Sequence, residues 1–310
     1  MISSKKKSTK RIWSGIIISV FFAVITMFIL TKLIYDGTFT RYDAIPKVPS
    51  ALNDTVENRE EHSFLCGENK LQGYLYQGKG DGLIVFVPGY RASADDYLWQ
   101  IQELLDCGWG VFSFDTTGSC RSEGDSSIGF PQATLDLDAA LEYIEKNDRF
   151  GYEKIFLVGH SRGGYAVCSA LDGEHDITAA VTVSGVNSCM DAIIQPVADK
   201  IGFLAYTNYP ALWLYQSMLF GTDTVSTEAH TEIIESEVPV LVIQGTEDTK
   251  YTEEKYSVYS HSIDNQNNNL EHYLCDSPGQ SGHTSLLFDA DGSANDKIIS
   301  KIDLFFKKNN

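Results

Sequence analysis

Residues 155–164 read Ile-Phe-Leu-Val-Gly-His-Ser-Arg-Gly-Gly. A short apolar run ends in Gly159-His160-Ser161-Arg162-Gly163, a G-x-S-x-G pattern. Small residues then lead into a helix-like segment from Gly164 to Leu171. Strand, tight turn and helix in that order lift a serine hydroxyl above the end of a sheet. Ser161 is therefore expected in a strained backbone conformation. Gly159 and Gly163 are expected where strand and helix pass too close for a Cβ. A glycine-rich turn with a solvent serine has the same letters, so the reading depends on what else the chain supplies.

Three other stretches supply it. Pro239–Gln244 reads as a buried strand followed by Gly245-Thr246-Glu247-Asp248, and a carboxylate there can reach over the sheet end to orient a histidine. Asp248 is the better candidate and Glu247 the second. Glu271–Cys275 reads as a last strand, and the polar loop after it carries His283. Of the seven histidines, His261, His272 and His283 follow both the serine turn and the acid loop, and of these only His283 lies on a loop after a strand, in the order Ser, Asp, His. Gly82–Val87 is a strand leading into Pro88-Gly89-Tyr90-Arg91. The backbone amides of Tyr90 and Arg162 are candidates to converge on one oxygen, a device typically worth about 3 kcal/mol per donor in a transition state.

From about Glu61 to the C-terminus the chain resembles an α/β hydrolase of the serine-esterase type. The resemblance implies Ser161 as nucleophile, His283 as base then acid, Asp248 as orienting acid, and Tyr90 and Arg162 as oxyanion-hole amides. It implies an α/β fold with a mainly parallel eight-stranded sheet, helices on both faces and a helical cap between strands 6 and 7. The polarising groups are backbone amides, so no metal or organic cofactor is needed. Asp115 to Gly124 resembles the D-x-x-G-x-G-x-S loop of the family. Pro88 stands where many members have His. Cys120 stands where the loop usually has its second Gly, which is expected to place a thiol near the site.

The expected strands are 61–66, 72–77, 82–87, 109–114, 154–158, 179–184, 239–244 and 271–275, the first two forming an antiparallel edge hairpin. Helices are expected at 95–106, 131–147, 162–171, 251–261 and 294–307. The second of these has Pro131 at its start and Leu135, Leu137, Leu141 and Ile144 as its apolar positions. Strand–helix alternation argues for a sheet covered on both faces. It breaks from about 186 to 237, where Ile201–Tyr206 and Tyr209–Phe220 concentrate aromatic and aliphatic residues. That insert is expected to be the cap. Its apolar side chains either line an acyl pocket or dock the cap on the body.

The amino end carries Lys5, Lys6, Lys7, Lys10 and Arg11 without an acid, and Ile12–Thr31 is then free of charge. Twenty helical residues span about 30 Å, a bilayer's hydrocarbon thickness. The expected organisation is a basic cytoplasmic tail (1–11), a transmembrane anchor (12–35), a stalk (36–60) and an outward-facing hydrolase domain (61–310) in the cell membrane. A cleaved signal peptide is the competing reading, but its apolar core is normally shorter and ends in a small-x-small site.

The formal charge is −18, and beyond the anchor 18 basic residues face 42 acidic ones. No basic patch exists to neutralise phosphates, which argues against a nucleic-acid partner. The six cysteines show no metal-ligand spacing, and several sit in apolar runs as small hydrophobes. The expected activity is hydrolysis of a small-molecule carboxylic ester through an acyl-enzyme. An amidase or peptidase with the same residues is the nearest rival, and a non-catalytic surface binding module is the other class. Nothing in the sequence fixes an oligomeric state.

Overall fold

Eight strands form one sheet in the order β1-β2-β4-β3-β5-β6-β7-β8. They are β1 (Glu60–Cys66), β2 (Asn69–Tyr76), β3 (Gly82–Val87), β4 (Gly110–Phe114), β5 (Lys154–His160), β6 (Ala179–Val183), β7 (Val240–Gly245) and β8 (Leu270–Cys275). The architecture is that of a computed structural model. It describes residues 2–171, 173–252, 254–265 and 267–310, with side chains from residue 13 onward. β1 and β2 form the expected antiparallel hairpin, and β2 also runs antiparallel to β4. All other pairings are parallel.

The central strands are continuous apolar runs because both faces are covered. Alternation still assigns each residue to a layer. Leu83, Val85 and Val87 point into one core with Leu137 and Leu141, while Ile84 and Phe86 point into the other with Ile101 and Phe306. The first core lies under α4 (Gln132–Lys146) and α5 (Arg162–Ser169), and the second under α3 (Leu98–Asp106) and α11 (Asp296–Asn309).

Two local expectations fail for physical reasons. Leu135 is 37% exposed, while Ala133, Leu137, Ala140, Leu141 and Ile144 carry the buried face of α4. Leu135 lies two positions from Leu137, which turns it to another side of the helix. The helix expected over 251–261 is reduced to α10 (Val258–Ser262), capped by Ser257. The amides of Lys250 and Tyr251 are already bound to the Asp248 carboxylate, so the chain leaves β7 in a turn.

α1 covers Ile2–Thr38, and its stretch Trp13–Thr38 is long and apolar enough to cross a membrane. The residues after it, expected as a stalk, pack on the body instead. Phe39 is buried in the first core, Tyr42 bridges to Ser119, and the Arg41 guanidinium donates to the carbonyls of Cys120, Ser122 and Gly124. Leu52 is buried just before α2 (Asn53–Glu57).

The helical insert follows β6. It contains α6 (Cys189–Ile201), a 3₁₀ segment Gly202–Asn208, α7 (Tyr209–Phe220), α8 (Thr222–Ser226) and α9 (Ala229–Glu235). Ser188 caps α6 by accepting from the Asp191 amide. All six cysteines are free.

Candidate active site

Ser161 sits between β5 and α5 at φ 57°, ψ −114°, a conformation that L-residues rarely adopt. The surrounding glycines explain how the turn closes. A Cβ on Gly159 would lie 2.2 Å from the Gly163 carbonyl oxygen, and one on Gly163 would lie 2.1 Å from that of Val87. Strand, elbow and helix are in backbone contact, and the strain at Ser161 is held by that packing.

The three side chains predicted to meet do meet. Ser161 Oγ is 2.9 Å from His283 Nε2, and His283 Nδ1 is 2.8 Å from Asp248 Oδ2. Nδ1 faces a carboxylate and so carries the ring proton, which leaves Nε2 free to accept from the serine hydroxyl. Asp248 Oδ1 accepts from the amides of Lys250 (2.9 Å) and Tyr251 (3.1 Å), and Gln244 donates to Oδ2 (3.1 Å). Burial pushes the Asp248 carboxyl up, but the His283 bond and charge and the two amides outweigh it and hold the carboxyl below its usual range. Glu247, the second candidate, turns away and accepts from the Gly279 amide.

A pocket of about 270 Å³ lies over this line. Ser161, His160, His283, Gly89, Tyr90, Tyr251 and Phe288 are among its walls. The Tyr90 and Arg162 amides donate to no other protein group among the described residues. The Arg162 amide is also a first-turn donor of α5, where the helix dipole favours negative charge. The Arg162 side chain is buried beneath the elbow, where it donates to Thr116 Oγ1 and faces the Tyr90 ring. Cys120 is not among the residues lining this pocket. Its thiol faces the Ala44 carbonyl, one layer behind the pocket wall residue Asp96, and burial pushes it up to about 12, which keeps it a thiol.

Two residues that sequence reasoning passed over brace the site. His160 Nε2 faces the His283 carbonyl at 2.9 Å and must donate, so its Nδ1 accepts from the Tyr97 hydroxyl at 2.9 Å. Tyr97 in turn accepts from the Gly89 amide at 3.0 Å. This chain ties the loop after β3 to the loop that carries His283. Burial, helped by the neighbouring His283, pushes His160 down to about 3. The folded protein is then unprotonated at His160 between pH 3 and 6.5, where the unfolded chain is protonated. Stability is therefore expected to fall as pH drops through that window, at up to ~1.4 kcal/mol per pH unit from this group. His160→Gln should flatten the slope, as read by urea unfolding at several pH values. An unchanged slope would show that His160 is not held neutral.

A sheet of this order with a serine elbow after β5, an acid after β7 and a histidine after β8 has the chain order of one superfamily. The family model described as serine aminopeptidase, S33, matches residues 78–220. The chain has the α/β-hydrolase fold. It is 31% identical over 138 residues to a proline iminopeptidase of Saccharolobus solfataricus, a match covering 41% of this chain and 43% of that one. For a second relative, from Variovorax paradoxus and 28% identical, the match covers 45% of this chain and 56% of the relative, so the chain spans about half the length of the relatives it matches. Among solved structures it resembles the Pyrococcus furiosus esterase Pf2001, with a TM-score of 0.66 at 19% identity over 87% of this chain and 98% of that one. It also resembles the Pyrococcus horikoshii acylaminoacyl peptidase, with a TM-score of 0.57 at 16% identity over 81% of this chain and 41% of that one. At such identities the likeness establishes the fold of this chain and not its activity or substrate.

Proposed function

We propose that this chain is an α/β hydrolase that cleaves carboxylic esters, with Ser161 as nucleophile, His283 as general base then acid, and Asp248 as the orienting acid. The observation that carries the reading is the unbroken line of hydrogen bonds from Ser161 through His283 to Asp248 at the floor of a pocket. A serine hydroxyl is a poor nucleophile at neutral pH and needs a base in contact. His283 Nε2 takes the hydroxyl proton as Oγ bonds to the ester carbonyl carbon. The oxygen gains the negative charge and is met by the amides of Tyr90 and Arg162. The carbonyl re-forms as the C–O bond to the alcohol breaks, and the imidazolium returns its proton to the departing oxygen. Water, activated by the same imidazole, then releases the acid and restores Ser161. Asp248 keeps the Nδ1 tautomer and stabilises the imidazolium.

The aminopeptidase reading has its own support in the family description and in the proline iminopeptidase relative. Among the described residues, Asp96 is the only acid lining the pocket, and its Oδ2 already accepts from Ser93 Oγ and the Ser93 amide. That leaves little carboxylate to hold a free α-ammonium, which favours the ester. A panel of aryl esters of increasing chain length beside aminoacyl and peptidyl arylamides tests this. Esters are expected to be cleaved at least tenfold faster in kcat/KM, and turnover of amides alone would overturn the esterase reading.

The amino-terminal helix is read as an uncleaved membrane anchor with the basic end in the cytoplasm and the hydrolase body outside. The support is its uncharged length and the lysines and arginine before it.

A further inference from the structure

From Ile201 to Thr222 the cap contains no Asp, Glu, Lys, Arg or His, in a chain of net charge −18. α7 is apolar around its whole circumference, and such a helix is ordinarily enclosed. Here only Ala211, Leu212, Tyr215 and Gln216 are buried. Leu214, Met218 and Leu219 face outward, and so do Ile201, Leu204 and Phe203, the last 78% exposed. An apolar surface of this extent marks an interaction site. At 12 residues α7 is too short to cross a bilayer, so it suits lying in the interface.

The position of α1 names the occupant. Phe28 packs edge-on against Tyr215 at 6.0 Å, Thr31 Oγ1 donates to Asn208 Oδ1 at 2.8 Å, and Tyr35 meets Tyr215 at 5.3 Å. Lys32, the first charge after Arg11, pairs with Asp36 and reaches the Tyr215 hydroxyl. Lys32 marks where α1 leaves the hydrocarbon, and Phe28 lies one turn deeper. The cap is therefore held at the depth where α1 emerges. The acidic surface disfavours electrostatic adsorption, so contact with lipid falls to apolar side chains.

A groove of about 440 Å³ runs between α1 and α6, walled by Ile34, Phe39, Ile193 and Val197. It shares Tyr90, Phe130, Lys250 and Tyr251 with the pocket over Ser161. The Tyr90 hydroxyl donates to the Thr38 carbonyl, joining the helix end to the loop after β3. We infer that the uncharged face of the cap rests in the membrane that α1 crosses, and that the α1–α6 groove admits a single-chain acyl ester from the lipid phase to Ser161. This rests on the ester-hydrolase and anchor readings above.

The test uses the full chain in phosphatidylcholine vesicles, with p-nitrophenyl butyrate in solution and p-nitrophenyl palmitate dissolved in the bilayer. The palmitate-to-butyrate rate ratio is expected to fall tenfold or more in Val197→Trp, which fills the groove, and in Leu214→Glu, which charges the cap face. Leu65→Glu, exposed on the edge strand β1, should leave the ratio unchanged. An environment-sensitive fluorophore on Phe203→Cys should be quenched by spin-labelled lipid, and one on Leu65→Cys should not. Butyrate hydrolysis with a ratio insensitive to both cap variants would overturn the route. Absence of quenching at position 203 would overturn the docking. Failure to cleave either ester would instead sink the ester-hydrolase reading, with the quenching still deciding the docking.

Discussion

Replacing Ser161 by Ala is expected to lower kcat/KM for an activated aryl ester by about 10⁴-fold or more, with the fold intact. Alanine keeps the Cβ and so inherits the same φ 57° backbone. It loses one hydrogen bond, to His283, and nothing in the core. Water must then replace a positioned nucleophile, while the Tyr90 and Arg162 amides still offer a small residual acceleration. Circular dichroism and a thermal melt within a few degrees of the parent would show that the loss is chemical. Retained turnover would place the nucleophile elsewhere.

Asp248→Asn is expected to cost nearly as much, on the order of 10⁴-fold in kcat. The asparagine oxygen can still accept from the amides of Lys250 and Tyr251, so the turn survives. Its NH₂ group would then face His283 Nδ1, which must accept, and the ring proton moves to Nε2. That tautomer cannot take the proton of Ser161. Glu247→Gln should leave activity within about twofold, because Glu247 faces Gly279 and not the imidazole. Kinetics on the pair separates the two acids that the sequence left as candidates. A larger loss at Glu247 than at Asp248 would reverse the assignment.

Much of this was legible because the signals were redundant. The elbow sequence, the apolar runs and their turn residues each mark the same strand ends, and the eight strands fall within three residues of their expected bounds. That Ser161, Asp248 and His283 meet was expected from chain order, which this fold imposes on such a trio. What escaped were contacts made by residues distant in the chain. His160 occupies the variable position of the motif, and nothing beside it in sequence announces Tyr97 or the His283 carbonyl. Its one signal was a polar ring at the end of a buried strand, where both nitrogens must find partners. Residues 36–60 read as a stalk because their few apolar members show no period. Phe39, Tyr42 and Leu52 dock singly, each into a separate site on the body. Tyr251 opened the helix expected over 251–261, yet its amide and that of Lys250 are committed to the Asp248 carboxylate.

The central claim is that Ser161 is a nucleophile activated by His283. Labelling the folded full-length protein with a fluorophosphonate, followed by intact-mass and peptide analysis, tests it most directly. A single adduct on Ser161, absent in Ser161→Ala and strongly slowed in Asp248→Asn, is the predicted result. A folded protein that takes no label, or takes it on another residue, would contradict the claim.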